Sequence, residues 1–164
     1  MTGSRHTLTA TSRSVPGSLR QEIVIDGRHR LFTDEPVGVG GDGSAPAPHE
    51  LLPAALAGCV STTLVMYAER NHWDIGQVTV EVEYDHKSTP RRADIAIELT
   101  GDVTSDQLER LERVAAACPV RRSIETGIDF DEHIVLAPPG RRAGAQTAPR
   151  TLLPRQSDAK ALTG

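Results

Sequence analysis

Aromatic residues and cysteines are scarce in this chain of 164 residues. Phenylalanine, tryptophan and tyrosine together make up 3% of it, and there are two cysteines. Two cysteines are too few for the disulfide framework that holds small secreted domains together. In a reducing compartment such a pair is catalytic, metal-binding or simply buried more often than it is a permanent disulfide. The two cysteines are therefore candidates for chemistry rather than for a structural crosslink.

Long apolar segments are also missing. No stretch approaches the roughly 18 apolar residues that a membrane-spanning helix needs, and residues 1–6 lack the apolar core of a secretory signal. With 38% hydrophobic and 24% charged residues, the composition is that of a globular protein, and one domain is the default at this length. We therefore expect a cytoplasmic protein that works without a membrane.

Basic charge is in short supply over most of the chain. Residues 1–136 carry 13 basic and 21 acidic side chains, a net charge of −8, and we expect them to form the folded domain. Residues 137–164 carry five basic and one acidic side chain, a net charge of +4, and are rich in proline, alanine and glycine. This second segment predicts a disordered tail. An acidic domain does not favour a nucleic-acid partner, because phosphate neutralisation dominates that affinity.

The N-terminal third has the pattern of a β-meander. Asp26 and Gly27 form one of the strongest short hairpin signals, and they separate two short apolar runs. The glycine-rich segment 38–44 lacks the lysine of a phosphate-binding loop, so it predicts a flexible connector. The strands predicted here are 7–15, 22–25 and 29–33.

The most apolar segment, residues 50–70, predicts a central buried helix, because its apolar residues are spread around most of the helical wheel. Pro53 is awkward inside it, so either the helix starts later than Glu50 or it bends near Pro53. Small residues flank Cys59 and would let another element approach the backbone closely. They are Ala57, Gly58 and Ser61.

The C-terminal half adds strands and a second helix. Strict alternation over 78–84 and 95–99 predicts an antiparallel hairpin with one dry face, and 128–136 predicts a last strand. Thr104 and Gln107 have the spacing of a capping box, which opens an amphipathic helix that is expected to end near Cys118. Blocks of strands separated by two helices indicate an α+β fold.

Each cysteine taken alone is most simply a small buried core residue. Both, however, sit on or at the end of predicted core-facing helices, and Arg121 and Arg122 closely follow Cys118. A nearby guanidinium favours the thiolate, which is the nucleophilic form. A zinc site built from Cys59, Cys118 and His49 lacks the close ligand spacing of such sites, so we expect neither a metal nor a cofactor.

Two segments resemble the paired signature of the OsmC/Ohr family, the osmotically inducible and organic hydroperoxide resistance proteins. The first is PHELLPAALAGC, which ends at Cys59, and the second is ACPVRRS, which contains Cys118. The resemblance covers roughly residues 7–135. It implies an intertwined homodimer, in which antiparallel sheets wrap around central buried helices and a thiol peroxidase site lies at the subunit interface.

The resemblance also implies a role for each cysteine. Cys59 would attack the O–O bond of a hydroperoxide and become a sulfenic acid, and Cys118 would condense with it to form a disulfide. An external dithiol would then restore both thiols. The identity of the peroxide and of the reductant stays open.

In this family an arginine from the N-terminal strands holds the thiolate, and a glutamate near the start of the central helix orients that arginine. Arg20 is the first choice for the arginine and Arg30 the second. The family position of the glutamate falls on His49, with Glu50 one residue later. This displacement leaves an alternative hypothesis open, a non-catalytic dimer of the same fold that binds a small molecule and has inert cysteines. A purely structural dimer is a third.

Overall fold

The computed structural model describes residues 7–134 and 136, and the expected tail, 137–164, lies outside them. The fold of this part is α+β with antiparallel sheets, which confirms the predicted fold class. Short 3-10 helices occupy Val37–Val39 and Pro48–Glu50. The main elements, in chain order, are β1 Ala10–Ser14, β2 Gln21–Ile25, β3 His29–Thr33, α1 Leu51–Asn71, β4 Val78–Asp85, β5 Arg92–Leu99, α2 Ser105–Ala116 and α3 Pro119–Thr126.

The first sheet is the predicted meander, with β2 between β1 and β3 and both pairings antiparallel. Asp26 and Gly27 both have positive φ (49° and 65°), as the central positions of a type I′ turn require. The amide of Arg28 closes this turn on the Ile25 carbonyl at 3.0 Å. The Asp-Gly signal therefore placed the hairpin correctly.

The connector after β3 is organised by a buried carboxylate. The side chain of Asp34 is 2% exposed and accepts hydrogen bonds from the amides of Glu35 (2.9 Å), Asp42 (3.3 Å) and Ser44 (3.0 Å). The hydroxyl of Ser44 adds a fourth at 2.8 Å. The expectation of a flexible connector is therefore wrong, because an acidic side chain at the end of β3 holds the following loop closed.

Protonation of Asp34 should loosen this loop. Hydrogen bonds, those from Ser44 first, hold the pKa of Asp34 below its ordinary value of 3.8. A carboxyl with a lowered folded-state pKa stabilises the protein above its unfolded-state pKa, and this stability is lost as the pH falls through the folded-state pKa. We expect Asp34→Asn to lower the melting temperature at neutral pH and the deficit to shrink in strong acid. Thermal melts across pH measure this, with Asp42→Asn as the control in the same loop; a deficit independent of pH would contradict it.

Helix α1 begins at Leu51, directly after the 3-10 helix Pro48–Glu50. Pro53 therefore lies in the first turn, where its missing N–H would have no partner in the helix. Of the two alternatives for this proline, a later helix start is the one observed. The helix ends at Asn71, and His72 after it takes a left-handed conformation with φ of 56°.

One face of α1 is buried and another is not. The buried positions repeat every fourth residue and are Leu56, Val60, Leu64 and Ala68. Elsewhere on the helix Leu52, Val65 and Met66 remain 39%, 38% and 47% exposed. We expected this helix to be buried on nearly all sides. In the described residues of one chain, only one of its faces is buried.

The segment Pro48–Asn71 is long and apolar enough to cross a membrane, with a mean hydropathy of 1.6. The expectation that no segment approaches this limit is wrong, because small residues such as Ala and Gly separate the larger apolar ones without adding charge. A core helix passes the same test, and α1 packs against β4, α2 and α3. Its buried face forms half of the core cluster.

The second sheet and α2 complete this core. β4 and β5 form the predicted antiparallel hairpin, in which Val78 lies opposite Leu99. Thr104 caps α2 and exchanges hydrogen bonds with Gln107, as the capping-box spacing predicts. No residue of β1, β2 or β3 belongs to the core as far as the structure describes the chain. The buried cluster consists of Leu56, Val60, Leu64, Ala68, Ile75, Leu111, Ala115 and Cys118.

Two elements differ from the sequence-based expectation. Helix α3, Pro119–Thr126, follows directly on the point near Cys118 where the sequence predicts only a helix end, and Pro119 occupies its first position. The expected last strand over 128–136 does not form in residues 128–134 and 136. Ile128 and Phe130 are 65% and 76% exposed there. Neither sheet of the described residues includes a strand from this segment.

Candidate functional site

The two cysteines meet where α1 passes the junction of α2 and α3. Cys59 is half-buried on α1, Cys118 is completely buried, and both are free thiols. The Cys118 thiol lies near enough to the sulfur of Cys59 to help lower the pKa of Cys59. The structure therefore brings together the two residues that the sequence proposed as a redox pair.

Cys118 is held in place by the backbone on both sides. It is the residue before the first turn of α3, and its carbonyl accepts from the Arg122 amide at 3.0 Å. Its own amide donates to the Ala115 carbonyl of α2 at 3.1 Å. Pro119 follows at the first helical position, where its fixed φ suits a helix start. These contacts seat the thiol between two helices.

The two thiols differ in acidity. Burial on its own would raise the pKa of Cys59, but the Cys118 thiol, the Val120 amide and the Thr63 hydroxyl together bring the pKa below the ordinary cysteine value. Burial raises the pKa of Cys118, and its role as donor to Cys59 raises it further. Cys59 is therefore the more readily ionised of the two thiols.

Hydrogen-bond donors, not guanidinium groups, are responsible for this acidity. The Nε of Arg121 lies 2.8 Å from the Glu125 carboxylate, one turn along α3. We expected a guanidinium of Arg121 or Arg122 to favour the thiolate. The structure instead shows a backbone amide in the first turn of α3 that lowers the pKa of Cys59. This contribution was missed because α3 itself was not predicted.

The two candidate arginines differ in their interactions. Arg30 is already ion-paired, whereas one buried N–H of Arg20 has no hydrogen-bond partner in the described residues. Arg30 forms an exposed ion pair with Glu22 at 2.5 Å. The guanidinium of Arg20 lies over the Phe32 ring, 4.1 Å from its centroid. Its Nε is buried without a hydrogen-bond partner in the described residues. Within the same part of the chain, neither arginine forms a hydrogen bond with Cys59.

The candidate orienting residues have local contacts. The Glu50 carboxylate accepts a hydrogen bond from the Ala47 amide at 2.8 Å and so caps the 3-10 helix before α1. The His49 ring lies 5.3 Å from the ring of His86. No arginine of residues 7–134 forms an ion pair with Glu50. These residues also contain no group of three or more His, Cys, Asp and Glu side chains that could hold a metal ion.

Thr63 belongs to the site and was missed at the sequence level. It lies one turn after Cys59, and its hydroxyl donates to the Cys59 carbonyl at 2.7 Å. The four-residue spacing from Cys59 is the signal that could have found it, since such residues are neighbours on a helix.

A groove with apolar and charged walls lies along the first half of α1. It consists of two adjoining cavities of about 390 Å³ and about 370 Å³, which share Leu56, Ala93 and Ile124 as walls. Arg121 lines the first and Arg91 the second. Leu56 precedes Cys59 by three residues on α1, so the groove begins about one helical turn from Cys59, although neither cysteine lines it.

Comparison with solved structures shows the same fold in several bacterial proteins. A Psychrobacter arcticus protein, proposed to be an osmotic stress induced and detoxification response protein, is 29% identical; the match covers 70% of this chain and 86% of that one, with a TM-score of 0.60. An organic hydroperoxide resistance protein OsmC of Legionella pneumophila is 22% identical over 74% and 90%, with a TM-score of 0.53.

A Vibrio cholerae protein, proposed to be an organic hydroperoxide resistance protein, is 19% identical over 78% of this chain and 90% of that one, with a TM-score of 0.53. It was solved with captopril bound in one of its active sites. No curated protein matches the chain. The family model described as OsmC-like protein matches residues 41–133, which is more than half of the chain and contains both cysteines. This chain belongs to the OsmC-like protein family, as its two cysteine motifs predict.

Proposed function

We propose that this protein is a thiol-dependent peroxidase that reduces organic hydroperoxides. The observation that carries the proposal is the adjacency of two free thiols of unequal acidity, Cys59 and Cys118. A lowered pKa supplies a thiolate nucleophile, and a neighbouring thiol supplies the group that resolves its oxidised form.

The reaction proceeds in three steps. The Cys59 thiolate attacks one peroxide oxygen, the O–O bond breaks, and the departing alkoxide takes a proton to leave as the alcohol. Cys59 is now a sulfenic acid. The Cys118 sulfur attacks it, a disulfide forms, and the hydroxyl leaves with a proton as water. An external dithiol, oxidised in turn to a disulfide, returns both cysteines to thiols by thiol–disulfide exchange.

The apolar walls of the groove at Leu56 support organic hydroperoxides as the preferred substrates. Walls such as Leu56 and Ile124 can bury the hydrocarbon part of a hydroperoxide, whereas hydrogen peroxide has no such part to bury. A comparison of cumene hydroperoxide with hydrogen peroxide therefore belongs to every assay. We propose that the reaction takes place in the cytoplasm and involves neither nucleic acid nor membrane.

A homodimer would complete the site. No residue of the first sheet belongs to the buried core cluster of the described chain, and Arg20, directly before β2 of that sheet, has a buried N–H without a hydrogen-bond partner in the described residues. We assign Arg20 of a second copy to hold the Cys59 thiolate and polarise the peroxide. Glu50, or His49 at the family position, would orient this arginine once the dimer has formed.

Thiol titration tests the proposed function. Reduced protein mixed with cumene hydroperoxide should lose two thiols per chain, and Cys59→Ser should lose none, because the remaining Cys118 is completely buried. Turnover with dithiothreitol as reductant should likewise vanish in Cys59→Ser. Thiols that survive peroxide in the folded wild type, or a Cys59→Ser variant with undiminished turnover, would contradict the proposal.

A second candidate is a non-catalytic dimer that binds a small molecule. It is favoured by the Glu50 carboxylate, which is occupied in capping rather than in orienting an arginine. Captopril, which occupies an active site of the Vibrio cholerae relative, is a suitable probe. Saturable captopril binding together with thiols that resist peroxide would support this candidate over the peroxidase.

A further inference from the structure

Two histidines from different elements meet near the start of α1. The ring centroids of His49 and His86 are 5.3 Å apart, and the ring planes are tilted by 38°. His49 lies in the 3-10 helix that precedes α1, whereas His86 directly follows the last residue of β4. The fold therefore brings together two imidazoles that are distant in the sequence, and the proposed reaction has no role for the pair.

The backbone that carries His49 is fixed by its neighbours. Pro48 occupies the start of the 3-10 helix, where its ring restricts φ. The Glu50 carboxylate accepts a hydrogen bond from the Ala47 amide at 2.8 Å and so closes the same turn. His49 is thus presented by a short, capped segment rather than by a free loop.

The backbone that carries His86 is fixed in a similar way. The Asp85 carboxylate accepts hydrogen bonds from the amides of Lys87 at 2.9 Å and of Ser88 at 3.1 Å. Such side-chain bonds to the following amides are typical of a turn that begins at an aspartate. Both imidazoles therefore stand on ordered backbone, which is what a binding site needs from its supporting residues.

The separation of the two rings suits a shared metal ion. Zn²⁺ binds an imidazole nitrogen at about 2.0–2.1 Å, which places the centres of two imidazoles on one tetrahedral ion about 5 Å apart. The observed separation of 5.3 Å agrees with this value. Imidazole suits Zn²⁺, Cu²⁺ and Ni²⁺, whereas Mg²⁺ and Ca²⁺ prefer oxygen ligands. The pair therefore favours a transition-metal ion.

Ring packing without a metal is the commonest explanation for such a pair. Aromatic rings pack with centroids about 4.5–7 Å apart, and the ring of Tyr84 also lies 6.4 Å from that of His86. His49 and His86 are both exposed, however, so little apolar area is buried by their contact. The same exposure leaves the pair accessible to an ion and to the water molecules that complete its coordination.

The charge of the domain also favours a cation. Residues 1–136 have a net charge of −8, and an acidic residue stands next to each histidine in the sequence, Glu50 beside His49 and Asp85 beside His86. A negative potential raises the local concentration of cations at the surface.

We propose that His49 and His86 together bind one divalent transition-metal ion per chain, such as Zn²⁺, Cu²⁺ or Ni²⁺, with water in the remaining coordination positions. The described residues contain no group of three or more His, Cys, Asp and Glu side chains that could hold an ion, so the protein supplies two ligands and the ion remains exchangeable. The zinc set considered from the sequence combined His49 with the two cysteines, whereas the structure pairs His49 with His86. A bound ion links the segment before α1 to the turn after β4.

Isothermal titration calorimetry with nickel chloride tests the site. The protein carries no affinity tag and contains Cys59→Ser, so that the accessible thiol cannot bind the ion; Cys118 is completely buried. We expect saturation at one ion per chain, and no binding of magnesium chloride. His49→Gln and His86→Gln should each weaken nickel binding at least about tenfold, because loss of a ligand costs no less than loss of a group that orients one.

The matched control is His29→Gln, which removes an exposed histidine of β3 and should leave nickel affinity unchanged. Nickel should also raise the melting temperature of the protein with both histidines, because the ion binds the folded chain. The two ligand variants test the site independently, and circular dichroism checks that each one folds. Absence of saturable nickel binding, unchanged affinity in a folded His49→Gln or His86→Gln protein, or equal weakening in His29→Gln would overturn the proposal. The titration uses Cys59→Ser protein, so its outcome is independent of whether the wild-type thiols react with peroxide.

Discussion

Cys118→Ser is expected to carry out the first chemical step and to fail at the second. Cys59 should still attack the peroxide, so that one thiol per chain is lost, where the wild type loses two. The product should be a sulfenic acid at Cys59 that no neighbouring thiol can resolve. Dimedone traps this species, and intact mass spectrometry should show one adduct per Cys118→Ser chain and almost none on the wild type. The reason is proximity, because a resolving thiol inside the site outcompetes any reagent added from outside.

The Cys118→Ser variant separates the role of Cys118 from that of Cys59. Its hydroxyl can replace the Cys118 thiol as the donor that faces the Cys59 sulfur, so the first step should proceed at a rate near that of the wild type. Cys118→Ala lacks this donor and should react more slowly with peroxide, although it too can form only a sulfenic acid. A dimedone adduct on Cys118 in the Cys59→Ser variant would reverse the assigned roles.

The strands and long helices were predictable because local signals and burial patterns agreed there. Asp26 and Gly27 set one hairpin, alternation set another, and Thr104 with Gln107 marked the start of α2. Helix α3 was not predictable in the same way. Pro119 follows one helix and begins the next, and proline is common in both places, so the residue alone does not distinguish a stop from a start.

The sequence predicted those residues of the site that belong to a recognisable motif. Cys59 and Cys118 stand in recognisable segments, but the Val120 amide that acts on Cys59 has no side-chain signature. The capping role of Glu50 was hidden for a similar reason. The residue three positions before it is Ala47, which is not one of the usual capping residues, so no capping box is visible in the sequence.

The predicted strand over 128–136 is absent for a different reason. Alternating apolar residues predict a strand correctly only if an edge is available to pair with it. In the described residues no sheet includes a strand from this segment, and Ile128 and Phe130 are mostly exposed. The exposed residues of α1 are a second apolar surface that the described residues of one chain leave uncovered.

The wild-type protein is expected to be a dimer in solution, with a mass twice that of the 17.6 kDa chain by light scattering. The exposed residues of α1, among them Val65 and Met66, form an apolar face on the longest helix. Apolar patches of this kind mark interaction surfaces, and self-association covers them with the same patch of a second copy. The first sheet, which adds nothing to its own core, is then free to cover the partner.

Met66→Glu should break this dimer. A carboxylate buried in an apolar interface costs several kcal/mol, which weakens the dimer dissociation constant about a thousandfold. Met66→Leu keeps the volume and the apolar character, so it should remain dimeric. Since Arg20 is assigned to the site of a second copy, Met66→Glu should also lose peroxide turnover while Met66→Leu keeps it. A monomeric wild type, or a Met66→Glu monomer with full turnover, would remove Arg20 of a second copy from the site, because each chain would then be complete without its partner.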